Sequence, residues 1–237
     1  MSTLPAGSVI ARHLNAKLPR DWDGKACIEE LRRANYQWRQ MEWIGWWFEY
    51  RAMQLLAPLG ARVGPTFGSV TFDCRLNGVW DFKAHPRKPR ESGHAYLNDE
   101  EAVDLCIASH RHLGWIIAVG TAVYDDTGEF KRWHDELKGA ESAYVSAGRE
   151  FGRKSRKRKA GFVLEEIVWL EFRHREQVEA ALSTGVLRRG LQARQANSDG
   201  SARRPKYGFS YLRWRNYLQS PTLAITGGRL PIDRSDA

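Results

Sequence analysis

Two carboxylates and an amine stand close together in the stretch Ser69-Val-Thr-Phe-Asp73-Cys-Arg-Leu-Asn-Gly-Val-Trp-Asp81-Phe-Lys83. Asp81 and Lys83 are two apart in a β-rich run, so they project from one face of a strand with Phe82 behind them. Asp73 lies on the preceding run, Ser69 to Leu76, joined to Val79–His85 through Asn77-Gly78, a strong hairpin signal. Carboxylates meeting across a ladder repel unless a cation lies between them. Hard oxygen ligands of this kind suit Mg²⁺, which keeps several waters and shares the rest of its shell with a phosphate. A lysine alongside can orient or deprotonate an attacking water and offset charge developing on phosphorus.

The turn decides whether the two aspartates meet. A two-residue loop on Asn77-Gly78 pairs Leu76 with Val79 and sends Asp73 to the far face. A three-residue loop, Leu76-Asn77-Gly78 with Gly78 left-handed as a bulge, pairs Arg75 with Val79 and sets Asp73 opposite Asp81. Both loops are common. An Asp-x-Lys triplet by itself recurs by chance, and on an exposed hairpin it would make only weak surface ion pairs. Here Val70, Phe72, Val79, Trp80 and Phe82 surround it, which places the hairpin in a core sheet.

The flanking pattern supplies elements to position these groups. Lys25 to about Leu59 reads as one long helix, ended by Pro58 and Gly60. It carries Glu42 and Glu49, seven apart and on one face. Glu49, among Trp47, Phe48 and Tyr50, is the better candidate, because burying a charge without a partner is expensive. Trp43, Trp46 and Trp47 read as core packing. Asn98 is expected to cap a helix over 99–113 whose first turn holds Asp99, Glu100 and Glu101. Trp115 to Val123 reads as a buried strand. Further on, 129–138 and 175–182 read as helices and 163–172 as a strand. Residues 187–206 form a polar, Gly/Arg-rich stretch before the aromatic-basic segment 207–217.

This order of elements, with Asp73 and Asp81-Phe82-Lys83 at the expected places, resembles the PD-(D/E)XK nuclease superfamily and, within it, the type II restriction endonucleases. The likeness covers about residues 36–123, where that family's core runs helix, three strands, helix, strand. Phe72 stands where proline is usual, and the two acidic positions are closer together than in many members. The resemblance implies an α/β fold, a mixed sheet flanked by helices with an α+β DNA-recognition extension over about 140–220, all within one endonuclease domain spanning 1–237. It implies Asp73, Asp81, Lys83 and Glu49 as catalytic residues, with Asp73, Asp81 and Glu49 as Mg²⁺ ligands. The implied activity is sequence-specific, Mg²⁺-dependent hydrolysis of double-stranded DNA by a restriction–modification enzyme acting as a homodimer.

Composition agrees with a nucleic-acid partner. The 237 residues hold 37 Lys+Arg against 28 Asp+Glu, a net charge of +9, and such a surplus favours a polyanion. The surplus concentrates late in the chain. Arg149, Arg153, Lys154, Arg156, Lys157, Arg158 and Lys159 are opposed within their own run by Glu150 alone, as expected of a nonspecific phosphate anchor. Arg203, Arg204, Lys206, Arg213 and Arg215 lie near Tyr207, Tyr211 and Trp214 and are candidates for base or backbone contacts. His110, His112, His134 and His174 make no metal or nucleophile pattern, and His110-x-His112 reads as surface histidine. Cys27, Cys74 and Cys106 read as buried or free thiols of a reducing compartment. No apolar run long enough to cross a bilayer and no signal peptide is visible, so a cytoplasmic protein is expected. Two alternatives stay open: a repair, recombination or methyl-dependent nuclease of the same fold, and a noncatalytic DNA-binding protein whose acidic hairpin is structural.

Overall fold

Alternating side chains on a central sheet give this chain two apolar faces, and each is covered by helices. The structure is a computed structural model and describes residues 6–65, 72–87, 94–139, 157–193, 195, 200–219 and 225–232. The main sheet contains β1 (Asp21–Asp23), β2 (Arg62–Val63), β3 (Cys74–Arg75), β4 (Val79–Arg87), β6 (Leu113–Tyr124), β7 (Lys159–Phe172) and β10 (Thr226–Pro231). Their order is β1-β7-β6-β4-β3-β2. β10 shares one edge of β7 with β1: β1 pairs with Gly161, Phe162 and Val163, and β10 with Glu166 through Glu171. β4 and β6 run parallel, and the other pairs are antiparallel, so the sheet is mixed. A second, three-stranded sheet has the order β5 (Ala95–Asp99), β9 (Lys206–Phe209), β8 (Leu187–Leu191).

Trp80 and Phe82 of β4, with Ile116 and Ala118 of β6, face one cluster. It is completed by Ile10 and Leu14 of α1 (Ala6–Lys17), Ile28 and Leu31 of α2 (Gly24–Arg33), and Trp47 and Phe48 of α3 (Trp43–Leu56). Val79, Trp115, Ile117, Val168 and Leu170 face the other. There they meet Val103 of α4 (Glu100–His110), Val178 of α6 (Arg175–Ser183), Trp214 of α7 (Tyr211–Gln219), and Leu97, Leu187 and Phe209 of the second sheet. β6 is buried on both faces from Leu113 to Gly120, which is why it reads as an unbroken apolar run. α5 (Glu129–Lys138) follows β6 and packs Phe130 into the first cluster. No helix among the described residues is long and apolar enough to cross a membrane.

Several expected elements differ. The helix expected over 25–59 breaks between α2 and α3, where Asn35 and Gln37 take φ of 52° and 38°. Asparagine tolerates the left-handed region because its short amide bonds locally, and Tyr36 N closes the end of α2 on Leu31 O at 2.8 Å. The α3 helix then ends in a 3₁₀ turn, Ala57–Leu59, with Gly60 left-handed. Asn98 is not a helix cap but a strand residue of β5, and α4 stops at His110, with Arg111 left-handed at φ 50°. Within 187–206, the stretch read only as polar and Gly/Arg-rich, lies the strand β8. Trp43 and Trp47 are 1% and 4% exposed, as core packing requires.

Candidate functional site

The β3–β4 hairpin takes the three-residue loop. Arg75 pairs with Val79 and Cys74 with Trp80, and just beyond this two-pair ladder Asp73 comes beside Asp81. Leu76 N bonds Gly78 O at 2.9 Å. Asn77 has a positive φ of 50°, and Gly78 after it takes the expected positive φ, at 141°. That φ is costly for any other residue, and a Cβ there would meet the His112 ring at 2.7 Å. His112 holds the hairpin from behind: its Nδ1 lies 3.1 Å from the Val79 backbone and its Nε2 3.5 Å from Glu171 Oε2. Glu171 Oε1 in turn accepts from Gly7 N at 2.9 Å. His112 is therefore buried, at 5% exposure, and not the surface histidine the sequence suggested. Its place after the helix end, where Arg111 turns the chain inward, accounts for the difference.

Asp73 and Asp81 share one corner of the sheet. Phe82 N donates to Asp73 Oδ2 at 2.7 Å, and Asp73 N donates to Trp80 O at 3.0 Å. Lys83 Nζ donates to Asp81 Oδ1, and Asn98 Nδ2 donates to Asp81 Oδ2. Asp81 is 2% exposed, whereas the Lys83 side chain keeps 28% of its surface. Burial, then the Asp81 charge, then Glu49 and a carboxyl–carboxyl hydrogen bond to Asp81 push Asp73 well above the usual carboxylate range, against Lys83. Burial disfavours the Lys83 ammonium, but Asp81, Asp73 and Glu49 outweigh it and hold the amine above the ordinary lysine value. Three carboxyl groups thus face one ammonium, and their mutual repulsion adds to burial in raising Asp73.

Glu49 comes from α3, whose Phe48 packs edge-on to Phe82 at 5.8 Å between ring centres. Burial raises its pKa, and the Tyr36 hydroxyl and the Lys83 charge oppose the rise. Its hydrogen-bond partner is Tyr36, whose hydroxyl donates to Oε1. The break between α2 and α3 is what brings Tyr36 there. Glu42 is exposed at the start of α3. Asn98 was missed as a site residue because its sequence position before three acidic residues reads as a cap. Trp115 Nε1 donates to Asn98 Oδ1 at 2.9 Å and so turns the amide nitrogen toward Asp81. As they stand, no three His, Cys, Asp or Glu side chains among the described residues are arranged to hold a metal ion. Lys83 and Asn98 take both Asp81 oxygens, and Tyr36 takes one of Glu49's.

The basic candidates divide. Arg149, Arg153, Lys154 and Arg156 lie outside the described residues. Arg158 is no surface anchor: it is 6% exposed and lies 3.9 Å from Asp135. Lys157 is exposed and pairs with Asp126 at 2.5 Å. These two cations are thus met by acids distant in sequence, which a local count of charge could not reveal. Lys159 opens β7, and its carbonyl accepts from Trp43 Nε1 at 2.8 Å. Arg204 and Lys206 meet Asp99 at 3.9 and 2.7 Å, and Arg203 approaches Gln195. Arg213 and Arg215 are exposed on α7. Arg213 also lines a hollow of about 920 Å³ with His94, Leu187, Arg188, Arg189 and Asn216, none of them a residue of the carboxylate cluster. Cys27, Cys74 and Cys106 are buried and unpaired, and burial raises each thiol, Cys74 and Cys106 to about 12.

The fold and site define an α/β chain with an acidic, lysine-bearing corner on a mixed sheet. No family model, curated protein or solved structure matches the chain.

Proposed function

We propose that this chain is a Mg²⁺-dependent endonuclease of the PD-(D/E)XK kind that cleaves double-stranded DNA at specific sequences. The observation that carries the reading is the packing of Asp73, Asp81 and Lys83 at one corner of the sheet, with Glu49 close enough to bias their charge. The order α3, β2, β3, β4, α4, β6 supports it, since it repeats helix, three strands, helix, strand with β5 added before α4. A restriction-endonuclease-like core belongs to the same proposal, as do a homodimer and a cytoplasmic restriction–modification setting.

The donor set fits Mg²⁺ in kind and in charge: oxygen ligands only, and more negative charge than Lys83 offsets. Asp73, Asp81 and Glu49 would hold the ion, once Lys83 yields Asp81 Oδ1. Bound there, Mg²⁺ supplies charge neutralisation at phosphorus and a more acidic water. Lys83, kept cationic by its neighbours, orients the water and faces the phosphate. Asn98, held by Trp115, keeps the Asp81 carboxylate in one orientation. Cleavage of supercoiled plasmid with Mg²⁺ and with EDTA tests the reading. Loss of cleavage in Asp81→Ala and Lys83→Ala with DNA affinity retained supports it, and full activity in either variant overturns it.

A further inference from the structure

Beyond Lys83, β4 continues through His85 to Arg87, and strand alternation keeps Arg87 on the face that carries Asp81 and Lys83. The Arg87 guanidinium lies 4.9 Å from the centre of the Tyr211 ring. Arg215, one turn further along α7, lies 5.8 Å from the same ring. Arg229 of β10 donates to the Tyr211 hydroxyl at 3.5 Å. Three arginines from distant parts of the chain therefore converge on one tyrosine that is only 8% exposed.

Like charges do not gather without cause. Arg87 is held by Glu165, which also accepts from Thr121 Oγ1 at 2.6 Å. Arg229 lies 3.4 Å from Glu166, a carboxylate 4% exposed that also accepts the Tyr211 hydroxyl. Arg215 has no carboxylate partner among the described residues. Among the described residues, three guanidiniums meet two carboxylates, which leaves one positive charge uncompensated. Each fork has five donors and one carboxylate cannot use them all. The Arg87 and Arg229 side chains keep 32% and 37% of their surface, although Arg87 Nε itself is buried without a partner. Fixed guanidinium forks with free N–H groups suit the bidentate geometry of a phosphate. The six residue steps from Asp81 to Arg87 span about 20 Å of strand at about 3.3 Å per residue. That matches the axial rise of roughly six base pairs, a little over half a turn of duplex.

We infer that Arg87, Arg215 and Arg229, arrayed around Tyr211, form a clamp for a backbone phosphate of duplex DNA, about half a turn from the bond to be cut. The identity of the partner rests on the endonuclease reading, whereas the anion chemistry rests on the arginines alone.

The test is a fluorescence-anisotropy titration of a labelled duplex several turns long, in EDTA, at a series of salt concentrations. Arg215→Ala should flatten the slope of log affinity against log salt by about one phosphate contact, and Arg215→Ala with Arg229→Ala by about two. Arg215→Lys should restore most of the slope, since the cation returns. Arg32→Ala, on the exposed side of α2 across the sheet, should leave the slope unchanged. Because Arg215 is exposed on its helix, the single variant keeps the inference testable even if the double variant unfolds. A wild-type slope in Arg215→Ala, or failure of the wild type to bind duplex, overturns the clamp. Plasmid cleavage with Mg²⁺ separates the two ideas. Cleavage with unchanged slopes removes the clamp and leaves the endonuclease, and flattened slopes without cleavage do the reverse.

Discussion

The two ends of β4 carry opposite charge and resolve it in opposite ways. At Asp81, carboxyl groups crowd a corner that Lys83 offsets in part, and burial first, then the Asp81 charge, raises Asp73 well above the usual range. At Arg87, guanidiniums gather around Tyr211 but lean on Glu165 and Glu166, and their outer faces stay wet. The first end is strained by burial and by its own charge, and on the proposed reading a metal ion would relieve it. The second is nearly balanced and keeps spare donors for an anion. On the proposed reading, one face of this strand would hold both a metal and a phosphate backbone, as a nuclease requires.

The largest expected effect breaks the acidic end. Asp81→Ala should lower the rate of Mg²⁺-dependent plasmid cleavage by at least about 10³-fold, since it removes a proposed ligand and the partner of Lys83 together. Single-turnover cleavage with saturating enzyme measures the loss free of any change in affinity. Asn98→Ala sharpens the comparison at a residue that only positions. It should cost about 10- to 100-fold in apparent Mg²⁺ affinity or rate, read from the metal-concentration dependence. An unchanged Mg²⁺ profile would reduce Asn98 to packing.

A third prediction exploits the strain directly. A carboxyl whose folded pKa is raised costs stability above its unfolded value, and the cost disappears when both states are protonated at low pH. Asp73→Asn, which keeps an acceptor for Phe82 N, should therefore melt higher than the wild type at neutral pH in EDTA. The shift should be about 2–4 °C for each kcal/mol relieved, and it should shrink as pH falls toward the ordinary aspartate value. A variant less stable at neutral pH would mean that the corner is not strained.

The smallest effect concerns the exposed lysine of the basic run. Lys157→Gln should flatten the salt slope by less than one phosphate contact, because Asp126 already answers part of its charge at 2.5 Å. A full unit lost on the same titration would restore the run to the role its composition suggested.

The acidic end was legible, and the basic end only in Arg215 and Tyr211, for physical reasons. Asp81-Phe82-Lys83 and Asn77-Gly78 act locally: alternation sets a face and the turn sets a register, so the sequence could name the condition under which Asp73 and Asp81 meet. Arg87, Tyr211 and Arg229 share no local pattern and come together through the β4–β6–β7–β10 pairing. Arg158 misled because its partner Asp135 lies on α5, well away in the chain. Asn98 misled because a strand ending in Asn-Asp before acidic residues looks like a helix cap. The short strands β1, β2 and β8 have little pattern of their own and are fixed by their neighbours.

The most direct test of the central claim is plasmid cleavage by the purified wild-type chain beside Lys83→Ala, in Mg²⁺ and in EDTA. Linear or nicked product from the wild type in Mg²⁺ alone, absent with Lys83→Ala while that variant still binds the plasmid, is the predicted result. Equal cleavage by both proteins, or none by the wild type at any Mg²⁺ concentration, would contradict it.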